Sequence, residues 1–343
     1  MREILEDVER WRGQGEAVAV ATVIQTWGSA PRQPGAKMAW TAGGSISGSV
    51  SGGCVENAVV ESGARTLATG RPQRLRFGVS DETAWGVGLA CGGTIEVLVE
   101  PLATELFDPI REALLGERPA ATATVIGGGE ELLGRKLFIG QDGTRHGTIG
   151  KRWDDAVASR TRSLLSERSA ARVEEMEGIE VFIETLLPPP RLIIVGGVHI
   201  AVPLVSLAKT LGYRTVIVDP RRAFGNPDRF PHADRIVSDW PDRALEGLEI
   251  DRSTAIAVLT HDPKLDDPAL SAALRSPAFY VGALGSGRTQ ERRRQRLLQA
   301  GLGEEALARL YGPIGLPLGG RSPEEIALSI LAQIVKERNR SHT

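Results

Sequence analysis

Two stretches of the sequence set a cysteine against paired glycines. Residues 43–54, GGSISGSVSGGC, put Gly52 and Gly53 directly before Cys54; residues 86–93, GVGLACGG, put Gly92 and Gly93 directly after Cys91. Glycine neighbours leave a sulfur unshielded and let a bulky group approach backbone amides. A thiolate is a soft metal ligand and a nucleophile, and glycine–serine loops supply donors for a phosphate or the edge of a heterocycle. One such motif alone reads as a small buried hydrophobe in a turn. Two with mirrored glycine pairs point to a site. A disulfide between them is disfavoured in a reducing compartment and lacks CxxC spacing. Structural zinc needs about four ligands, and the first half has no histidine before His146. Binding, or sulfur chemistry on a ligand that carries its own metal, is left.

The second half opens on a nucleotide-type pattern, RLIIVGGVHIAVPLVSLAKTLGYRTVIVD. A strand runs into Gly196-Gly197, then a helix, then a strand ending in Asp219. Such a turn aims helix amides at a phosphate, while the acid accepts from a ribose hydroxyl. Val198 stands where a dinucleotide fingerprint has its middle glycine, so packing of helix on sheet is the competing explanation. His199, His261 and the Leu284–Thr289 stretch with Ser286 and Arg288 fall at strand ends, the rim where ligands bind in such folds. Taken alone, His261 reads as a satisfied loop histidine, and Glu291–Arg296 (ERRRQR) as the solvated face of a helix.

The elements that must position these residues follow from periodicity. The first half predicts strands over 17–26, 37–41, 45–50, 75–79, 94–100, 121–126, 136–139, 148–149 and 180–186. It predicts helices over 3–12, 56–68 (stopped by Gly70), 109–115 and 154–166. Leu187-Pro188-Pro189-Pro190-Arg191 reads as a linker, dividing an N-terminal mixed α/β domain, 1–187, from a C-terminal domain, 188–343. After it, strands at 192–195, 215–219, 235–237, 255–260 and 279–281 alternate with helices at 201–211 and 268–274. A capped helix starts at Ser322. Alternation of this kind predicts a Rossmann-like, doubly wound parallel sheet. No internal repeat is evident.

Composition sets outer bounds. The chain has 343 residues, a prior for about two domains, and 40 glycines that cluster at the motifs. A net charge of −2 gives no electrostatic reason to expect nucleic acid or an acidic membrane as partner. Two cysteines are too few for a cystine scaffold or a four-thiolate cluster. The charged N-terminus has no signal-peptide character, and the uncharged run from Leu192 to Ala208 falls short of the ~20 residues that cross a bilayer. These features predict a cytoplasmic protein.

At these residues the sequence resembles the XdhC/CoxI family, accessory proteins of molybdenum-containing xanthine and carbon monoxide dehydrogenases. The resemblance spans nearly the whole chain. It rests on Gly28-Ser29-Ala30-Pro31-Arg32, Gly52-Gly53-Cys54-Val55-Glu56 and Trp85–Gly93. It continues through Gly196–His199, Val218-Asp219, Thr260-His261-Asp262, Gly282–Ser286, Gly312–Leu316 and Pro323–Ala327. The sequence departs from the family's usual G-x-G-H at Gly196–His199, and has Gly287 where a basic residue is expected. The resemblance implies a chaperone that binds molybdenum cofactor (molybdopterin, with or without its cytosine nucleotide). It would hold the cofactor while a cysteine desulfurase supplies the sulfido ligand, and deliver it to the apo-dehydrogenase. It makes Cys54 and Cys91 the candidates for contact with the molybdenum. A homodimer is compatible with a two-domain carrier. The alternative is an NAD(P)-dependent oxidoreductase built on the Rossmann-like half, although no hydride-transfer constellation accompanies it. The chain is too small, and too poor in cysteine, to be a molybdenum hydroxylase itself.

Overall fold

The computed structural model describes residues 1–78, 92–169 and 171–340. Contacts divide the chain into two compact units, Met1–Pro188 and Pro189–Thr343.

In the first unit the elements are α1 (Leu5–Gly13), β1 (Val18–Trp27), β2 (Lys37–Thr41), β3 (Ile46–Gly48), α2 (Glu56–Thr69), β4 (Gln73–Phe77) and β5 (Thr94–Pro101). They are followed by α3 (Thr104–Leu115), β6 (Ala120–Gly127), β7 (Lys136–Gly140), β8 (Arg145–Thr148), α4 (Asp154–Glu167), β9 (Arg172–Met176) and β10 (Ile179–Leu186). The predicted strand at 75–79 is β4, which ends at Phe77; Val79 lies outside the described residues. The strands form two antiparallel sheets of order β3-β2-β1-β5-β4 and β8-β7-β6-β10-β9. Alternation along β1 decides its two faces. Ala19, Ala21 and Val23 pack under α2 with Val59 and Trp40, while Val18 and Val20 join Phe107, Phe138 and Leu186 between the sheets. Gly63 is what lets α2 lie flat, since a Cβ there would stand 1.7 Å from the Trp40 ring.

The second sheet repeats the first. Each is helix, three strands, helix, two strands, with the same strand order. The correspondence reaches single residues. Thr22 pairs with Lys37 in β1–β2 and Thr124 with Lys136 in β6–β7. Gly48 and Gly147 each lie against the carbonyl of the matching lysine, where an added Cβ would stand 2.3 and 2.5 Å from the oxygen. The expectation of no internal repeat is therefore corrected. What is duplicated is backbone pairing and a few key positions, and the β4–β5 connection, 78–93, is matched by the tight Glu177-Gly178 turn, so no constant period survives.

The helix expected over 109–115 begins five residues earlier, carrying Pro109 inside it. Burial of Leu106 and Phe107 outweighs the hydrogen bond that the proline forfeits.

The second unit contains β11 (Arg191–Val195), α5 (Ala201–Thr210), β12 (Arg214–Val218), β13 (Arg235–Val237), α6 (Pro241–Glu246), β14 (Thr254–Val258) and α7 (Pro263–Arg275). It ends with β15 (Tyr280–Ala283), α8 (Gly287–Gln299), α9 (Glu304–Ala308), β16 (Leu310–Tyr311) and α10 (Pro323–Arg340). The sheet order is β13-β12-β11-β14-β15-β16 and every pairing is parallel. This is the Rossmann arrangement. Ile193 and Val195 face α6–α8, and Leu192 and Ile194 face α5 and α10; a strand buried on both faces is apolar throughout. α7 repeats the lesson of α3: it starts at Pro263, capped by Asp262, and absorbs Pro268. Among the described residues no helix is long and apolar enough to cross a membrane.

Candidate functional site

The segment between β3 and α2 is organised by one carboxylate. Glu56, the first residue of α2, accepts from the hydroxyl of Ser49 at 2.6 Å and the amides of Val50, Ser51, Gly53 and Val55 at 3.2, 2.9, 2.9 and 3.2 Å. The Ser51 hydroxyl also donates to it. Serine oxygens extend the network: Ser49 Oγ accepts from Gly52 N at 2.8 Å, and Ser51 Oγ from the amides of Cys54 and Val55, each at 3.0 Å. Burial pushes the Glu56 carboxyl up, but the hydrogen bonds from Ser49 and Ser51 more than reverse this and hold it down at about 2. It is ionised at any working pH.

This network changes the reading of the glycines. The amides of Gly52 and Gly53, expected to meet a phosphate, point inward to Ser49 and Glu56. Both glycines have positive φ, +79° and +117°, and no atom of the described residues lies within 4 Å of a Cβ built on either. They are required by backbone sign, and among the described residues nothing but their chain neighbours lies against their side-chain positions. Cys54 itself is half-buried at the margin of the cluster containing Val50, Val55, Val59, Ala30 and Ala36.

Two further segments meet at the same end of the sheet. Trp27, the last residue of β1, pairs with Thr94, the first of β5. A Cβ on Gly93 would stand 2.5 Å from the Ser29 carbonyl, and one on Gly28 would stand 3.5 Å from Gly93 Cα. Gly92-Gly93 thus packs against the Gly28-Ser29 turn. Arg32 donates through Nε to the Ser49 carbonyl at 3.1 Å, joining that turn to the cysteine loop. Trp27 is 40 % exposed, with the Arg76 guanidinium 5.0 Å from its ring centre. Cys91, like the rest of 79–91, lies outside the described residues.

In the second unit the glycine turn is present but covered. A Cβ on Gly196 would meet Thr260 Cγ2 at 2.4 Å, and one on Gly197 would meet the Phe224 carbonyl oxygen at 2.4 Å. Packing of the chain on itself accounts for both glycines. Asp219 is fully buried and accepts from Gly197 N at 2.9 Å and from Arg221 N, Nε and Nη2 at 3.0, 2.9 and 2.8 Å. Burial raises its pKa, and these donors bring it below the usual carboxylate range. Four donors occupy the acceptor sites of both oxygens, and Asp219 serves here as an internal clasp between Gly197 and Arg221. Arg221 lies over Phe224 at 4.0 Å, sealing that side.

His199, His261 and Arg288 are exposed. Ser286 caps α8, accepting from Thr289 N at 3.3 Å. The expectation of a solvated face for Glu291–Arg296 fails at Arg293, which is 1 % exposed and paired at 2.7 Å with Asp266, itself nearly as buried. Arg293 also donates to the Leu284 carbonyl and to Gln290. Asp266 accepts from Thr260, so this triad braces the ends of β14 and β15. Among the described residues no group of three or more His, Cys, Asp or Glu could hold a metal ion.

Sequence reasoning did not single out Glu56 as the residue that organises this loop. The available signal was a helix-starting acid preceded by serines five and seven positions back, a local pattern of capping type.

The fold and the site define a two-unit protein: a duplicated α/β unit carrying a glycine-flanked cysteine loop, followed by a Rossmann unit. Residues 11–78 match the profile of the XdhC and CoxI family, and residues 192–334 that of the XdhC Rossmann domain. A protein of Bacillus subtilis named as a probable xanthine dehydrogenase subunit is 30% identical over 344 residues, covering 98% of this chain and 96% of that protein. The molybdenum cofactor insertion chaperone PaoD of Escherichia coli is 28% identical, covering 94% of this chain and 84% of its own length. A crystal structure described as a xanthine dehydrogenase from Bacillus halodurans matches with a TM-score of 0.78 at 28% identity, covering 98% and 96%. The chain belongs to the XdhC and CoxI family.

Proposed function

We propose that this protein carries molybdenum cofactor and inserts it into an apo-dehydrogenase of the xanthine dehydrogenase class, acting as an accessory protein and not through turnover of its own. The observation that carries the reading is the Gly52-Gly53-Cys54 loop: a half-buried thiol after two glycines whose side-chain positions meet no described residue but their chain neighbours, its backbone fixed from within by Glu56. The reading is supported by the Escherichia coli relative, named as a molybdenum cofactor insertion chaperone.

The cofactor is cargo, and the residues fit one end of it. Cys54 offers a soft sulfur to the molybdenum, and the two glycines leave room for a bulky group next to that sulfur. Cys91, by resemblance, is the second sulfur. Because the loop amides are committed to Glu56 and Ser49, the cofactor's phosphate is met by other residues. While held, the cofactor would receive its sulfido ligand from a cysteine desulfurase. A cytosine nucleotide form of the cargo, a homodimeric carrier and a cytoplasmic setting are consistent with this role. The NAD(P)-dependent alternative is disfavoured by the committed Asp219 and the covered Gly197.

The test is co-expression with an active cofactor pathway, anaerobic purification, and measurement of molybdenum and pterin per chain. The wild-type protein is expected to retain both, and Cys54→Ala to lose at least tenfold. Equal retention by a Cys54→Ala/Cys91→Ala double variant would overturn the cysteine role.

A further inference from the structure

The duplication allows the cysteine loop to be compared with its counterpart in the same chain. Asp154 opens α4 as Glu56 opens α2, each after the third strand of its half. Asp154 accepts from the Thr148 hydroxyl at 2.6 Å and from the amides of Ile149 and Gly150 at 2.9 and 3.2 Å. Glu56 makes the matching bonds to Ser49, Val50 and Ser51. Those bonds are what the scaffold needs to turn a strand into a helix, because the second half makes them with no cysteine to place.

Among the described residues, the remaining bonds of Glu56 have no counterpart at Asp154. They come from Gly53 N, Val55 N and the Ser51 hydroxyl, and the last of these oxygens in turn accepts from Cys54 N. Each ends on the segment that carries the thiol. The longer glutamate side chain reaches the longer loop. Beyond its chain neighbours, no atom of the described residues lies within 4 Å of a Cβ built on Gly52 or Gly53, so among those residues the bonds to the two glycine amides come from the inner side, from Ser49 and Glu56.

We propose that Glu56 is the positioning residue of the carrier site: its carboxylate acts as a built-in anion that fills the amide nest before α2 and presents Cys54 in a single geometry. The proposal rests on the carrier reading for its purpose. Two consequences follow. The nest is closed to an outside phosphate, so the loop selects the metal end of its cargo. A carboxamide at position 56 loses the acceptor capacity that the extra donors require, and the loop loosens around the sulfur.

The experiment compares Glu56→Gln, Glu56→Asp, Asp154→Asn and Cys54→Ala in the full chain. Three quantities are read: molybdenum retained after co-expression, the rate of Cys54 alkylation by iodoacetamide at fixed pH followed on the Cys54 peptide, and Tm. Glu56→Gln is expected to lower retention at least tenfold and to change the alkylation rate at least fivefold. Glu56→Asp should recover part of both. Asp154→Asn should lower Tm like Glu56→Gln while leaving retention and alkylation at wild-type values, which separates positioning from mere support. Should Glu56→Gln not fold, Glu56→Asp carries the comparison. An unchanged alkylation rate in the Glu56 variant overturns the proposal. Wild-type retention by Glu56→Gln, with loss in Cys54→Ala, also overturns it and leaves the carrier reading intact; full retention by Cys54→Ala instead removes Cys54 from the carrier reading, and the alkylation rate still decides the role of Glu56.

Discussion

The ammonium of Lys37 lies 2.8 Å from the carboxylate of Glu184, and the contact recurs with the halves exchanged between Lys136 and Glu100, at 2.7 Å. Each lysine also donates to the threonine of its own half, Thr22 at 3.1 Å and Thr124 at 2.8 Å. These groups line a cavity of about 60 Å³ between the two sheets. Burial pushes Glu184 up, and chiefly the Lys37 charge brings it below the usual carboxylate range. Two repeats of one fold are thus held by ion pairs that neither repeat makes within itself.

Removing Lys37 leaves the buried Glu184 carboxylate with the more distant Met1 ammonium, 4.0 Å away. Lys37→Met should destabilise the protein by about 3–5 kcal/mol, and Lys37→Met/Glu184→Met should recover most of that loss. Urea denaturation reads both. Equal losses for the single and double variants would show that the pair does not act as a unit.

Acid sensitivity follows from two carboxylates held at about 2. Glu56 starts from 4.5. Asp234 starts from 3.8, raised by burial and then carried down by Lys209, Thr215 N and Arg214. A depressed folded-state value means stability that is fully present above the unfolded value and is lost as pH falls through the folded one. Stability, read by urea denaturation, should therefore be insensitive to these groups above about pH 5 and fall between pH 4.5 and 2, by about 1–2 kcal/mol for each group after solvent screening. Glu56→Gln and Asp234→Asn should each flatten that slope. A slope unaltered in both variants would contradict the assignment.

The covered glycine turn makes a prediction about nucleotides. NADH and NADPH titrated to millimolar concentration should give no saturable fluorescence change. Arg221→Ala should not create one, because the Phe224 carbonyl stays over Gly197. Saturable binding at micromolar levels would mean that the segment after Asp219 moves away from the turn.

Much of the architecture was legible beforehand. The run Ala17–Thr26, the glycine stop at Gly70 and the strand–helix alternation after Pro190 are local signals, carried by neighbours within a few residues. The helix starts at Thr104 and Pro263 were not legible, because each proline marked a beginning that burial of upstream side chains moved forward. At the site, glycine and cysteine types drew attention to the Gly52–Cys54 loop and suggested amides facing outward, whereas those of Gly52 and Gly53 turn inward to Ser49 and Glu56.

By itself, then, the sequence determined most of the elements and the Rossmann half, though not β9, α6, α9 or β16, since periodicity and turn chemistry act over short covalent distances. Tertiary structure decided which charges meet: Lys37 with Glu184, Arg221 with Asp219, Arg293 with Asp266, and Glu56 with the amides around Cys54. Partners of that kind are chosen by desolvation, because a charge withdrawn from water must find its opposite wherever packing brings one. Residue spacing does not encode that choice when the partners, as with Lys37 and Glu184, stand far apart in the chain.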